Sequence, residues 1–262
     1  MNFFAPPPAA PARRRALRLG LALAALPLLA AAATASGEHP ATKRKFSLPP
    51  PANLAYAIDA RQGGLQIQGS GLVRWRHDRN SYSVVSETRA MLVGKILEAK
   101  SEGAIDAYGL APLHFTEQRF RKDATVASFD RKAGSIRFAQ SDARYPLLGG
   151  EQDRTSIAWQ LAAIARAAPK KFRAGSEWDF FVAGQRDAER WSFKVIGEES
   201  ITTALGQLRA LHLRRAPPPD AGSQKLDIWL APTRNWYPAK LRFTDADGEY
   251  IEQTLQEITP PN

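Results

Sequence analysis

The feature that most constrains this chain is an alternation of apolar and polar residues with a period of two, beginning at Leu54 and running to Ile258. Successive side chains of a strand point to opposite faces, so such runs build a sheet with one buried and one solvated face. Turn residues interrupt them roughly every eight to twelve positions, the spacing of an antiparallel all-β domain. Leu54, Tyr56 and Ile58 form one run, Leu65 and Ile67 lead toward Val73 and Trp75, and Tyr82, Val84, Ser86 and Thr88 share a face. Phe115 and Val126 to Phe129 precede a turn at Asp130 to Gly134, after which Ile136 and Phe138 resume. Trp178, Phe180 and Val182 alternate, as do Trp191, Phe193 and Val195, and Gly184-Gln185-Arg186-Asp187 between them predicts a hairpin. Leu211-Leu213, Leu226-Ile228-Leu230, Leu241-Phe243 and Ile251 to Ile258 complete the series.

One segment breaks the pattern. Ile157, Leu161, Ile164 and Ala168 are spaced for a helical face in an alanine-rich run, with capping side chains from Asp153 to Ser156 and a stop at Pro169. The expected fold is therefore mainly β: a curved antiparallel sheet or incomplete β-barrel with one packed helix at about 155–168.

The chain opens with an address. Arg13, Arg14, Arg15 and Arg18 precede an uncharged run from Leu19 to Ala33, and Ala33-Thr34-Ala35 fits the A-x-A cleavage pattern of a secretory signal. A membrane anchor is the competing reading, but the run falls short of the roughly 20 apolar residues of a span and Pro27 interrupts it. Residues 1–35 read as a signal peptide, 36–52 as a disordered basic and proline-rich leader, and 53–259 as a single β-rich domain. Cleavage after Ala35 leaves 227 of 262 residues, and removes four of 36 basic residues against none of 26 acidic ones. The balance becomes +6 rather than +10, which suits anionic envelope surfaces and does not call for nucleic acid. The chain contains no cysteine, which excludes disulfides, thiolate chemistry and the acylated cysteine of a lipoprotein. The expected location is the periplasm, by either the general or the twin-arginine route.

Motifs for chemistry are absent: no phosphate loop, no dinucleotide fingerprint, no nucleophile elbow and no zinc-binding histidine pair. Of four histidines, His114 and His212 lie on strands, where half-buried packing is the ordinary role. Asp245-Ala246-Asp247-Gly248-Glu249 resembles the start of a calcium loop, but position twelve is Gln256 and a hairpin turn accounts for the same residues. No metal and no cofactor is expected. What remains is apolar capacity: Trp178, Phe180, Trp191 and Phe193 make the densest aromatic face, and core packing or the wall of a cavity are its two readings.

Several stretches resemble an exported proteobacterial family known as domain of unknown function 3108. They are Leu54-Ala55-Tyr56, Tyr82 to Glu87 with Gly94, Ser101-Glu102-Gly103, Gly109-Leu110-Ala111-Pro112 and Asp153-Arg154-Thr155-Ser156-Ile157. Gly197 with Ala204-Leu205-Gly206, Ile228-Trp229-Leu230 and Tyr237-Pro238 complete the set. The resemblance implies a periplasmic, largely antiparallel domain without assigned catalytic residues, and more loosely the half-barrel of periplasmic lipoprotein carriers. The leading expectation is a non-catalytic binding or envelope-maintenance protein that holds an apolar or amphipathic envelope component. Trp178, Phe180, Trp191 and Phe193 would form the wall, with Arg74 and Arg76 at the rim for anionic headgroups. The alternatives are an interaction module for a membrane-protein partner, and an envelope-polymer hydrolase with His114 or His212 against a carboxylate in a cleft.

Overall fold

The computed structural model describes residues 39–91, 93–217 and 224–261, so the predicted signal peptide lies outside the described residues. No helix among them is long and apolar enough to cross a membrane. Fifteen strands form one sheet: β1 (Ala52–Gln62), β2 (Leu65–His77), β3 (Ser81–Ala90), β4 (Gly94–Asp106), β5 (Gly109–Arg119), β6 (Thr125–Asp130), β7 (Ser135–Phe138) and β8 (Ser141–Pro146). Then follow β9 (Gln152–Asp153), helix α1 (Ser156–Ala167), β10 (Glu177–Ala183), β11 (Ala188–Thr203), β12 (Gly206–Arg215), β13 (Lys225–Ala231), β14 (Tyr237–Thr244) and β15 (Tyr250–Thr259).

Each strand lies beside its neighbours in sequence except β8 and β9, and β15 returns to pair with β1, so the order runs from β8 down to β1 and then from β15 down to β9. Every pairing is antiparallel except the two-residue β9 against β10. The predicted hairpin forms, Trp178 opposite Phe193 and Phe180 opposite Trp191. The suspected calcium stretch is the β14–β15 turn, with Gly248 at φ 85°.

The sheet ends at β8 and β9 without pairing across that gap, but it curls. Helix α1 touches both β5 and β14, which stand six places apart in the sheet, and β9 touches β5. Side chains close what backbone bonds do not: Phe115, Phe129, Ile136 and Phe138 from one arm pack with Phe181, Ala183 and Ala188 from the other. The result is an incomplete barrel with α1 inside it.

The helix spans 156–167, close to the predicted 155–168, but it is not an amphipathic helix with one free face. Ser156 to Ala165 are all buried. A helix buried on every side belongs to an interior, and here the second cover is the N-terminal segment. Residues 39–51 carry no regular secondary structure, yet they are fastened throughout, so the expectation of a disordered leader fails for them. His39 stacks on Phe181 at 4.0 Å and bonds Glu151 at 2.8 Å. Arg44 donates to the Asp179 carbonyl, the Ser47 amide to the Ala163 carbonyl of α1, and Arg166 of α1 to Ser47 Oγ and the Leu48 carbonyl. Trp75 Nε1 and the Tyr237 hydroxyl then donate to the carbonyls of Pro49 and Pro50. Prolines removed the donors from this stretch but left its carbonyls, and side chains of the barrel bind those.

The centre is aromatic. Trp75 of β2 is fully buried and stacks on Trp159 of α1 at 4.6 Å. Each large side chain buried here contributes about 1.5–3 kcal/mol, which lets a chain without cysteine hold its fold.

Candidate functional site

The aromatic wall predicted for a guest surrounds the helix instead. Phe180, Trp191 and Phe193 are buried in one cluster with Ile157, Leu161 and Ile164 of α1, and with Leu213, Ile228 and Leu230. Trp178, partly buried at its margin, stacks on Phe172 at 4.1 Å. Arg44 of the N-terminal segment covers the Phe180 ring at 4.5 Å, and Arg215 covers that of Trp191 at 4.5 Å.

Arg74 and Arg76 do not join these aromatics. They flank Trp75 on β2, so the alternation that sends Trp75 inward sends both arginines outward. Arg74 pairs with Glu87. Arg76 donates to Asn53 Oδ1 at 2.6 Å and to the carbonyls of Ala52 and Trp75 at 3.0 Å. The six predicted residues thus divide between the inside and the outside of one sheet.

A broad hollow lies on that outer face. Strand register sets Arg76 opposite Ser83, Ser83 opposite Glu102, and Glu102 opposite His114, a polar row across β2 to β5. A bulge at Glu102/Gly103 shifts the register there. It leaves Leu113 exposed beside His114 and dishes the surface. Gly103 is required, since a Cβ would lie 2.2 Å from the Ala111 carbonyl oxygen. The dish measures about 550 Å³, and Arg76, His77, Ser83, Glu102, Leu113 and His114 are among its lining. Asp78 beside it accepts from the amides of Asn80 and Ser81 at 2.7 and 2.8 Å and from the Ser81 hydroxyl at 2.9 Å. Those bonds hold its carboxyl below the usual range and make it a poor base.

Neither strand histidine combines a carboxylate partner with a cleft. His114 lines the dish, but Glu102 gives its carboxylate to Lys100 at 2.7 Å. His212 has two carboxylates, Glu199 Oε1 at 2.7 Å and Asp227 Oδ1 at 2.6 Å, but it is buried and stacked on Trp229 at 4.3 Å. The dish therefore offers one guanidinium, hydroxyls, two imidazoles, the carboxylates of Asp78 and Glu102 and one leucine as a recognition surface. Its cross-strand row could not be read from the sequence, because alternation fixes faces and not neighbours.

The scaffold matches known proteins as follows. No curated protein matches the chain. Among solved structures it is similar to a Bacteroides fragilis protein provisionally described as exported with a YmcC-like fold, at 10% identity and a TM-score of 0.32, covering 83% of this chain and 100% of the other. A provisional lipoprotein from Parabacteroides distasonis shares 10% identity at a TM-score of 0.35, covering 84% of this chain and 100% of the other. A DUF1329 family protein from Desulfovibrio piger shares 7% at 0.26, covering 81% and 86%. The family model described as protein of unknown function DUF3108 matches residues 55–256, from β1 round the whole sheet to β15, and the chain belongs to that family.

Proposed function

We propose that this is a non-catalytic binding protein of the bacterial cell envelope that holds an amphipathic envelope component on its outer face. The observation that carries the reading is the occupied interior. Helix α1 and the 39–51 segment fill the space in which a half-barrel carrier would seat a guest. Binding then belongs to the dish on β2–β5, whose volume is that of an ordinary ligand site. Arg76, His77 and His114 suit a polar or anionic group, and Leu113 an apolar one.

Photo-crosslinking residues placed at Ser83 and His114 in the native envelope test this. The expected result is a discrete adduct at both positions, weakened by Arg76→Ala, with purified protein free of interior lipid by native mass spectrometry. Absence of an adduct at both positions, or a lipid retained one-to-one after purification, overturns it.

A further inference from the structure

We infer that the protein docks on an anionic bilayer through the tips of three neighbouring hairpins, at the end of the sheet remote from the dish. Hairpin turns are ordinarily polar, and each of these three carries an exposed large apolar side chain at its tip or edge. Leu65 at the β1–β2 turn is 69% exposed, Met91 and Val93 at the β3–β4 turn are 75% and 52% exposed, and Phe120 at the β5–β6 turn is 45% exposed. They account for four of the seven large apolar side chains that stand in solvent among the described residues. Antiparallel order puts alternate turns at one end, so sequence positions 65, 91, 93 and 120 share a rim. Two strands separate each tip from the next, giving about 10 Å between tips. Two of the three turns at the other end of these strands are polar, Asp78-Arg79-Asn80 and Arg131-Lys132-Ala133-Gly134, and the third is Ala107-Tyr108.

Charge identifies what the rim fits. Arg61, Arg89, Lys95, Arg119, Arg121 and Lys122 stand within a few residues of the exposed side chains. Three of them pair with strand carboxylates: Arg89 with Glu87, Lys95 with Glu98 and Arg119 with Glu117. Arg61, Arg121 and Lys122 have no ion pair among the described residues, and Asp123 is the one carboxylate on the three turns themselves. Arg121, at φ 55°, lays its guanidinium over the Phe120 ring at 4.8 Å. An aromatic side chain under a cation is the pairing that sits at a headgroup boundary. The next turn along the rim, β14–β15, carries Asp245, Asp247 and Glu249, with Glu249 bonded to the Gly64 amide. These carboxylates end the footprint on that side, so contact with an anionic surface runs from β1 toward β6. The dish then lies roughly 20 Å from the tips along β5 and about 40 Å along β2, judged from roughly 3.3 Å per residue, facing water. The docking does not depend on what the dish holds.

The absence of native cysteine allows a direct test on the full chain. Leu65→Cys, Met91→Cys, Phe120→Cys and, at the opposite rim, Ala204→Cys are each labelled with a polarity-sensitive dye and mixed with phosphatidylglycerol–phosphatidylethanolamine vesicles. The expected outcome is a blue shift and quenching by lipid-borne quencher at 65, 91 and 120, none at 204, and none with phosphatidylcholine alone. Arg121→Ser with Lys122→Ser raises the lipid needed by roughly thirtyfold, at about fivefold per surface cation. An equal response at 204, no response at 91, or indifference to lipid charge overturns the inference. The dish reading is judged separately, by the adducts at Ser83 and His114.

Discussion

Ser101 donates its hydroxyl hydrogen to Asp153 Oδ2 over 2.5 Å at a point sealed from water. Tyr82 joins Ser101 at 2.8 Å, and the other carboxylate oxygen of Asp153 accepts the amides of Thr155 and Ser156 at 2.8 Å. The Asp153 amide in turn donates to Ser156 Oγ. This reciprocal cap starts α1 and ties it to β3, β4 and β9 at once.

Burial raises the Asp153 carboxyl to about 6, against the opposing pull of Ser101 and the helix amides. Its folded value lies above the unfolded one near 3.9, so the native state binds the extra proton between them. The contribution to stability is complete below about pH 4 and is lost as pH rises through about 6, on the order of 3 kcal/mol in all. Asp153→Asn keeps the shape and the Oδ1 acceptor but does not titrate. Urea unfolding at pH 4 and pH 7 is expected to show wild type losing that amount relative to the variant. Parallel profiles would show that the carboxyl ionises freely in the folded protein.

His212 makes a second buried polar centre whose sign is opposite. Burial pushes the Asp227 carboxyl up, but hydrogen bonds from His212 and Arg214 outweigh it and hold it below the usual range. That stabilisation is present above the unfolded carboxylate value and is lost as pH falls through the folded one. His212→Leu removes the ring nitrogens that bond Glu199 and the buried Asp227, at a cost of about 3 kcal/mol. Acid unfolding followed by tryptophan fluorescence should then begin at higher pH than in wild type. An unchanged acid limb would mean that Arg214 alone carries Asp227.

The strap across α1 hangs on Arg166. Both Ser47 Oγ and the Leu48 carbonyl accept from it at 2.8 Å. Arg166→Met keeps the aliphatic bulk and deletes both bonds, so hydrogen exchange at the Ser47 amide, protected by Ala163, should speed up by about tenfold or more. Exchange at wild-type rate would place the strap's anchorage at Pro49 and Pro50 instead.

Period-two alternation exposed most of the strands, though not β4, β8 or β9, and with them the Trp178–Trp191 hairpin and, by its interruption, the helix. Alternation also held the answer on Arg74 and Arg76, because residues flanking an inward Trp75 must face out. The strap gave no such signal: its bonds run from proline carbonyls to side chains 26 and 187 positions away, and no local pattern records them. Whether the aromatic face was hollow or filled depended on where α1 docked, which is likewise non-local. Many residues that carry the family resemblance converge on this scaffold: Tyr82, Ser101 and Asp153 in the cap, Gly103 and Pro112 at the bulge, and Tyr237 on the strap.

Gly109 and Gln160 show how tightly the helix is keyed to its barrel. Gly109 sits at φ 108°, and a Cβ there would lie 2.4 Å from Gln160 Oε1. That oxygen accepts the Leu110 amide at 2.9 Å while Gln160 Nε2 donates to the Tyr108 carbonyl at 2.7 Å, so one buried side chain caps the β4–β5 turn from inside. Gly109→Ala combines backbone strain with displacement of Gln160 and two unmade bonds, about 3–5 kcal/mol together. Gln160→Ala alone loses the bonds, about 2–3 kcal/mol, but opens the space that the new methyl needs. The double variant should therefore be more stable than the sum of the two single losses predicts, by 1 kcal/mol or more, in a thermodynamic cycle from urea unfolding. Strict additivity would show that the penalty at Gly109 lies wholly in its backbone angle and that Gln160 yields without cost.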